Sequence, residues 1–270
     1  MDKEKHINKI YNIDCVEGLK ALSNECIDLT VTSPPYDNLR KYNGFSWNFE
    51  ATAKELYRVT KQGGVVVWVV GDATVKGSET GTAFKQALFF KEIGFNLFDT
   101  MIYDKGCCGA VGNNKGYWQA FEYMFVFSKG KPKTINLIYD RKNVEARSDS
   151  NSTKRRRDGS LVKTSGYSYG EVGRRTNVWK YHTGKGLTTT DTKAFKHPAM
   201  FPEKLANDHI ISWSNEGDVV LDIFMGSGTT AKMALLNNRN YIGFEISRDY
   251  CELAESRIDD AKIKQFGDVG

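Results

Sequence analysis

The run Val219-Val-Leu-Asp-Ile-Phe-Met-Gly-Ser-Gly-Thr-Thr-Ala-Lys-Met-Ala-Leu-Leu236 constrains the fold more than any other segment. An apolar, β-branched stretch over 218–223 breaks at a Gly-x-Gly turn, and helix-forming residues follow over 229–236. Gly226 and Gly228 allow a tight turn and a close approach of backbone to ligand. The next strand, 240–245, ends in Glu245, nineteen residues after Gly226. A nucleotide-binding α/β fold places the carboxylate that holds ribose hydroxyls at about this distance. An ordinary strand-to-helix turn would explain the glycines, but it does not require Asp222 or Glu245 at the strand ends. The segment therefore reads as a nucleoside-cofactor site. Ala231 stands where a dinucleotide pattern has its third glycine or alanine, so a dinucleotide-dependent oxidoreductase stays open at this point.

A second constellation lies near the other end. The apolar run 26–32 stops at Ser33-Pro34-Pro35-Tyr36, because two prolines cannot continue a strand ladder. They fix φ and leave rigid carbonyls at the carboxyl end of a strand, where open α/β sheets bind ligands. Ser33 adds a hydroxyl and Tyr36 a flat ring, which together suit a planar base. A base amino group is a poor nucleophile because its lone pair is delocalised. Acceptors on both its hydrogens favour a pyramidal nitrogen. A proline-ended strand of no catalytic purpose is the competing reading of this segment alone.

The 270 residues, 40% hydrophobic, suffice for one α/β domain with an insertion. Strands are predicted over 7–13, 26–32, 65–70, 96–103, 121–127, 218–223 and 240–245. Helices are predicted over 15–22, 49–60, 84–93, 201–213, 229–236 and 248–264, with Gly63-Gly64 and Gly94 as helix stops. The stretch 133–192 is polar, basic and irregular. Between Arg141 and Arg175, ten Lys/Arg face four acids, so this window carries +6 of a net charge of +5 and the remainder carries −1. Such concentration suits a phosphate-contacting surface, with Lys154, Arg155, Arg156, Arg157, Arg174 and Arg175 as candidate DNA contacts. A solvated charge run is the bland alternative for 154–157. No apolar run nears the roughly 18 to 20 residues of a membrane helix. The charged start, Met1 to His6, leads into no leader segment. Five cysteines without a C-x-x-C pair and four scattered histidines point to no metal, and to reduced thiols in a cytoplasmic protein.

Taken together, Asp222-Ile-Phe-Met-Gly-Ser-Gly-Thr-Thr230 and Thr32-Ser-Pro-Pro-Tyr36 resemble the cofactor and catalytic loops of the DNA amino-methyltransferases. This is the N4-cytosine and N6-adenine group that uses S-adenosylmethionine. Two further stretches are similar to that family: His197-Pro-Ala-Met-Phe-Pro-Glu-Lys-Leu205 and Phe121-Glu-Tyr-Met-Phe-Val-Phe-Ser-Lys129. The catalytic loop precedes the cofactor loop, with the basic segment between, which resembles the β subgroup. The likeness covers about 7–130 and 197–262.

The resemblance implies an α/β, Rossmann-like methyltransferase fold with a mixed, mostly parallel, seven-stranded sheet and a circularly permuted motif order. It implies a catalytic half over 1–130, a basic target-recognition insert over 131–196 and a cofactor half over 197–270. The implied catalytic residues are Ser33, Pro34, Pro35 and Tyr36. The implied cofactor contacts are Asp14, Thr32, His197, Pro198, Phe201, Pro202, Asp222, Phe224, Gly226, Ser227, Gly228, Thr229 and Glu245. Many relatives carry Lys where this chain has Phe201. Double-stranded DNA is the implied partner, with a cognate restriction endonuclease and a homodimer as further partners that the family allows.

Family members with Ser-Pro-Pro-Tyr act mainly on cytosine N4 and those with Asp-Pro-Pro-Tyr mainly on adenine N6, so Ser33 favours cytosine. The implied reaction is direct displacement on a base rotated out of the stack. C5-cytosine methylation would need a thiolate, usually in a Pro-Cys step, which is absent here. A DNA-binding regulator without catalysis and an RNA methylase are the remaining alternatives.

Overall fold

Eight of the chain's extended segments join into one mixed sheet. The computed structural model describes residues 7–35, 47–106, 117–143, 148–149, 153–164, 167–168, 170–182, 188–197 and 202–267. Of 148, 149, 167, 168 and 266 it describes the backbone alone. Two compact units result, one of 137–176 and one of the remainder.

In the larger unit the sheet strands are β1 (Lys9–Asn12), β2 (Ile27–Thr32), β3 (Thr60–Val70), β4 (Asn96–Asp104), β5 (Phe121–Ser128), β6 (Val178–Lys180), β7 (Val219–Asp222) and β8 (Asn240–Glu245). Their spatial order is β1-β8-β7-β2-β3-β5-β4-β6. Only β5 runs antiparallel to its neighbours. The helices are α1 (Cys15–Ala21), α2 (Phe49–Val59), α3 (Thr82–Glu92), α4 (Glu203–Trp213), α5 (Thr229–Leu236) and α6 (Arg248–Phe266). Residues 65–70 of β3 are buried throughout, as expected of a strand covered on both faces, whose sequence reads as a continuous apolar run. Trp68 packs there with Phe90 of α3, Leu56 of α2 and Leu19 of α1.

The sheet has one strand more than the seven expected. The eighth, β6, pairs with β4 and arises within the stretch read as irregular. Its three residues hold one buried side chain, Trp179, between exposed Val178 and Lys180, too short an alternation to announce a strand.

A second correction concerns Gly63 and Gly64, expected to stop a helix. Helix α2 ends at Val59, and both glycines lie inside β3. There the pairing with β2 jumps from Ile27–Thr60 to Leu29–Val65. Gly63 has φ +80°, and a Cβ on Gly64 would fall 2.8 Å from Thr60 Cγ2. The glycines therefore make a bulge, which also needs a positive φ and a close backbone approach. Gly94 does end its helix, with φ +115° and its N–H donating to Lys91 O.

The smaller unit is narrower than the expected 131–196. Asn136 is tied into the larger unit through Ser212 O, and 178–180 join the sheet. Residues 137–176 form antiparallel pairs: 141–142 with 172–173, 148–149 with 167–168, and 153–155 with 161–163.

Phe90 is fully buried and stacks on Phe127 at 4.6 Å between centroids. Phe90→Ala is expected to lower unfolding stability by about 3–5 kcal/mol, read as a fall in the denaturant midpoint.

Candidate active site

The centre of the sheet places β7 beside β2, although they are some 190 residues apart in sequence. From this pair the chain winds outward in opposite directions, β2 through α2 to β3 and β7 through α5 to β8. Such a reversal opens a crevice at the carboxyl ends of the strands. Both sequence constellations emerge there. Thr32 Oγ1 donates to Asp222 Oδ1 at 2.7 Å, and both residues are buried. The same oxygen accepts from Phe224 N at 3.0 Å. Thr230 Oγ1 reaches back to Val31 O at 3.3 Å. Ser33 and Pro35 are half-buried beyond Thr32, and Pro34 is buried. Tyr36 lies outside the described residues.

Gly226 and Gly228 have φ of +51° and +81°. A Cβ on Gly226 would come 2.9 Å from His197 Nε2, and one on Gly228 would come 2.7 Å from Ala254 Cβ. Glu245 clasps the turn, since Oε2 accepts from Gly226 N at 2.8 Å and Oε1 from Ser247 N at 2.9 Å. Asp14 follows β1, which pairs with β8, and its Oδ1 caps α1 through Val16 N and Glu17 N. His197 packs edge-on against Tyr250 at 4.5 Å, and Phe224 does the same against Trp47 at 5.1 Å. Pro202 is buried at the start of α4, whereas Pro198 and Phe201 lie outside the described residues. A cradle that any Cβ would fill, a carboxylate at the end of β8 and a flat ring at Phe224 fit a nucleoside.

Ser227 and Thr229 face elsewhere. Their hydroxyls lie 3.0 and 3.4 Å from Arg257 Nη1, and the Ser227 carbonyl accepts from the same nitrogen. Arg257 is fully buried and also donates to Asp191 Oδ2 at 2.7 Å and Glu203 Oε1 at 2.8 Å. Lys232 completes the cluster 2.8 Å from Glu203. Sequence reasoning missed this clamp beneath the glycine turn. Its signal was a charge set into the buried stripe Cys251, Ala254, Ile258 and Ala261 of α6.

Burial raises the Asp222 carboxyl to about 6, against the hydrogen bonds from Thr32, Thr230 and Phe224 N. Burial also raises Glu245, partly offset by bonds from Ser247 and Gly226. At Asp191 burial pushes upward too, but the hydrogen bond and charge of Arg257, with Lys232, hold the carboxyl below its ordinary value.

The candidate DNA contacts Lys154 to Arg157 sit exposed at the end of the 153–163 hairpin. Arg174 is exposed and its carbonyl accepts from Arg141 Nε at 3.0 Å. Arg175 is bound by Asp140.

Comparison with known proteins agrees with this geometry. The DNA methylase family profile of N6/N4 type matches residues 27–256. The orphan methyltransferase M.BamHII of Bacillus amyloliquefaciens is 62% identical over 235 residues, covering 86% of this chain and 88% of that protein. The type II methyltransferase M.HpaI of Haemophilus parainfluenzae is 28% identical over 260 residues, covering 91% and 72%. Among solved structures, PvuII DNA methyltransferase (cytosine-N4-specific) superposes with a TM-score of 0.65 at 21% identity, covering 93% and 90%. The M1.HpyAVI–SAM complex gives 0.62 at 22% identity, covering 93% and 98%. Both solved structures share the fold.

Two outcomes are expected. The native state binds a proton at Asp222 that the unfolded chain releases at its ordinary, lower pKa. This residue therefore favours folding most at acid pH, and its contribution falls as pH rises through the window from about 4 to about 6. Glu245, the other carboxyl acting on it, shifts in the same direction. Asp222→Asn should thus gain stability relative to the parent as pH rises from 4 to 7, measured as the difference in thermal midpoint. Arg257→Ala leaves Asp191 and Glu203 without their buried partner and should cost about 3–5 kcal/mol in denaturant unfolding.

Proposed function

The chain belongs to the N6/N4 DNA methylase family and is a DNA amino-methyltransferase, and from that premise we propose that it methylates the exocyclic N4 of cytosine in duplex DNA with S-adenosylmethionine. The observation that carries this reading is the meeting of two loops at one sheet edge, the Ser33-Pro34-Pro35 loop and the glycine turn, joined by the Thr32–Asp222 hydrogen bond.

The glycine turn with Glu245, Phe224 and His197 would hold S-adenosylmethionine, which when bound supplies an electrophilic methyl group. Glu245 keeps lone pairs for ribose hydroxyls beyond the two N–H groups it already accepts from. Asp14, at the end of the neighbouring strand, serves the adenine end. The titles of two solved relatives of the fold name this cofactor as bound. The target base leaves the stack because its amino group is otherwise unreachable. Ser33 Oγ and the Pro34 carbonyl accept the two amino hydrogens, which frees the nitrogen lone pair to point out of the ring plane. Prolines on either side of that carbonyl restrict its direction, so little reorganisation is needed when the base arrives. Tyr36 stacks on the base.

A neutral hydroxyl at position 33 supports cytosine over adenine, and N6-adenine methylation is the second reading of the same site. The word orphan in the name of the Bacillus amyloliquefaciens relative supports an enzyme working without a cognate restriction endonuclease. A cytoplasmic location follows from DNA as the substrate.

The decisive experiment incubates the protein with mixed-sequence DNA and S-adenosylmethionine, digests the product to nucleosides and identifies them by mass. N4-methylcytosine is expected, and N6-methyladenine in its place overturns the choice of base. Ser33→Ala should lower single-turnover methylation at least tenfold with unchanged cofactor affinity. Gly226→Val, with a branched side chain driven against His197, should abolish cofactor binding in calorimetry.

A further inference from the structure

The hairpin of the smaller unit has a regularity that the chain's basic composition did not announce. Ser148 opposes Ser168, Asp149 opposes Tyr167, Thr153 opposes Lys163, Lys154 opposes Val162 and Arg155 opposes Leu161. All five pairs share one register, so the described pieces belong to one antiparallel ribbon. Its tip is well specified. Gly159 N donates to Arg156 O at 3.0 Å, and Arg156 N donates to Ser160 O at 2.8 Å. Gly159 takes φ +85°, the left-handed position that closes a three-residue hairpin loop. Asp158 Oδ1 accepts from both Ser160 N at 2.9 Å and Ser160 Oγ at 2.7 Å.

We infer that this ribbon is a major-groove reading element, with the 153–163 hairpin entering the groove of B-form DNA tip first. The inference rests on DNA being the substrate and adds how the duplex is gripped. Charge is the first support. Lys154, Arg155, Arg156, Arg157 and Lys163 are exposed, and none is ion-paired with a described residue. The one acid among 153–163, Asp158, is turned inward on Ser160 and does not neutralise them. Shape is the second. Three paired positions and the loop extend about 15 Å at roughly 3.3 Å per residue, more than the ~8.5 Å depth of a major groove whose ~12 Å width admits a two-stranded ribbon. The third is the division of side chains. Residues opposite each other in a ladder share a face, so Arg155, Lys163, Thr153 and Leu161 lie on one face and Lys154 and Val162 on the other. The first face combines a forked donor, an ammonium, a hydroxyl and an exposed apolar group. These are the groups that read guanine O6/N7 and the thymine methyl. The A-form groove of RNA is too deep and narrow for the same fit.

The test uses the full-length protein and mixed-sequence duplex DNA. Methyl green, which occupies the major groove, should weaken binding at least tenfold, whereas netropsin in the minor groove should leave it unchanged. Arg155→Ala should relax methylation preference about ten- to a hundredfold at one base position, read by sequencing the modified sites. Arg157→Ala should instead weaken binding evenly across sequences and reduce the log–log salt slope by about 0.9. Both variants should keep the parent's thermal midpoint and cofactor affinity, which separates loss of grip from loss of fold.

The inference is overturned if replacing 154–157 by alanine leaves affinity, salt slope and site preference at parental values. It is equally overturned if netropsin competes as well as methyl green, or if an RNA duplex binds more tightly than DNA. Failure of the parent protein to methylate DNA would count against the functional reading instead, because the binding competition is scored without catalysis.

Discussion

One hydrogen bond organises the site. Thr32 and Asp222 close adjacent central strands, and the 2.7 Å contact between their side chains is buried from water. Everything with chemical potential hangs from those two strand ends. Ser33 to Pro35 continue from one, and the turn through Gly226 and Gly228 continues from the other. The bond sets the two loops side by side, and sheet pairing on either side keeps them from drifting. Asp222 is costly to keep as a carboxylate in this setting, as its elevated pKa records. Its three donors, Thr32, Thr230 and Phe224 N, are the compensation that makes the position tolerable.

Beneath the glycine turn a second, larger polar cluster works differently. Arg257 is buried without exposed surface, yet it meets Asp191, Glu203 and the Ser227 carbonyl. Buried ion pairs contribute little net stability over apolar packing, but breaking one is expensive. Such a cluster restricts alternatives more than it adds stability. Here it ties the first turn of α5 to α6 and α4, so that a loop of glycines, locally loose, is fixed from behind.

Much of this was legible in the residues. The apolar run of β3, the proline stop after β2, and the glycine turn with its acid at the end of β8 carry strong local signals. The failures share a cause, in that one local signal served two structures. A Gly-Gly pair after a helix predicts a cap as well as it predicts a bulge, and only the long-range pairing of β2 with β3 decides for the bulge at Gly63 and Gly64. Asp158-Gly159 is a hairpin signal, but the cations before it and the weak alternation around it read equally as solvated coil. Strand β6 depends on the preformed edge of β4, which no three-residue window contains. Arg257 needed the apolar stripe of α6 to be recognised first, after which the charge within it stands out.

The taper of the sheet has a consequence for how the protein behaves among its own copies. The inner strand β3 runs eleven residues and β4 nine, but the two marginal strands, β1 and β6, have only four and three. Unpaired backbone groups at a sheet margin invite a further strand from another molecule, and short margins give such a strand little to hold. A protein that crowds along a polyanion at high local concentration is thereby shielded from fibrillar stacking. Self-association by sheet extension is disfavoured, and contacts between copies are left to the helical faces.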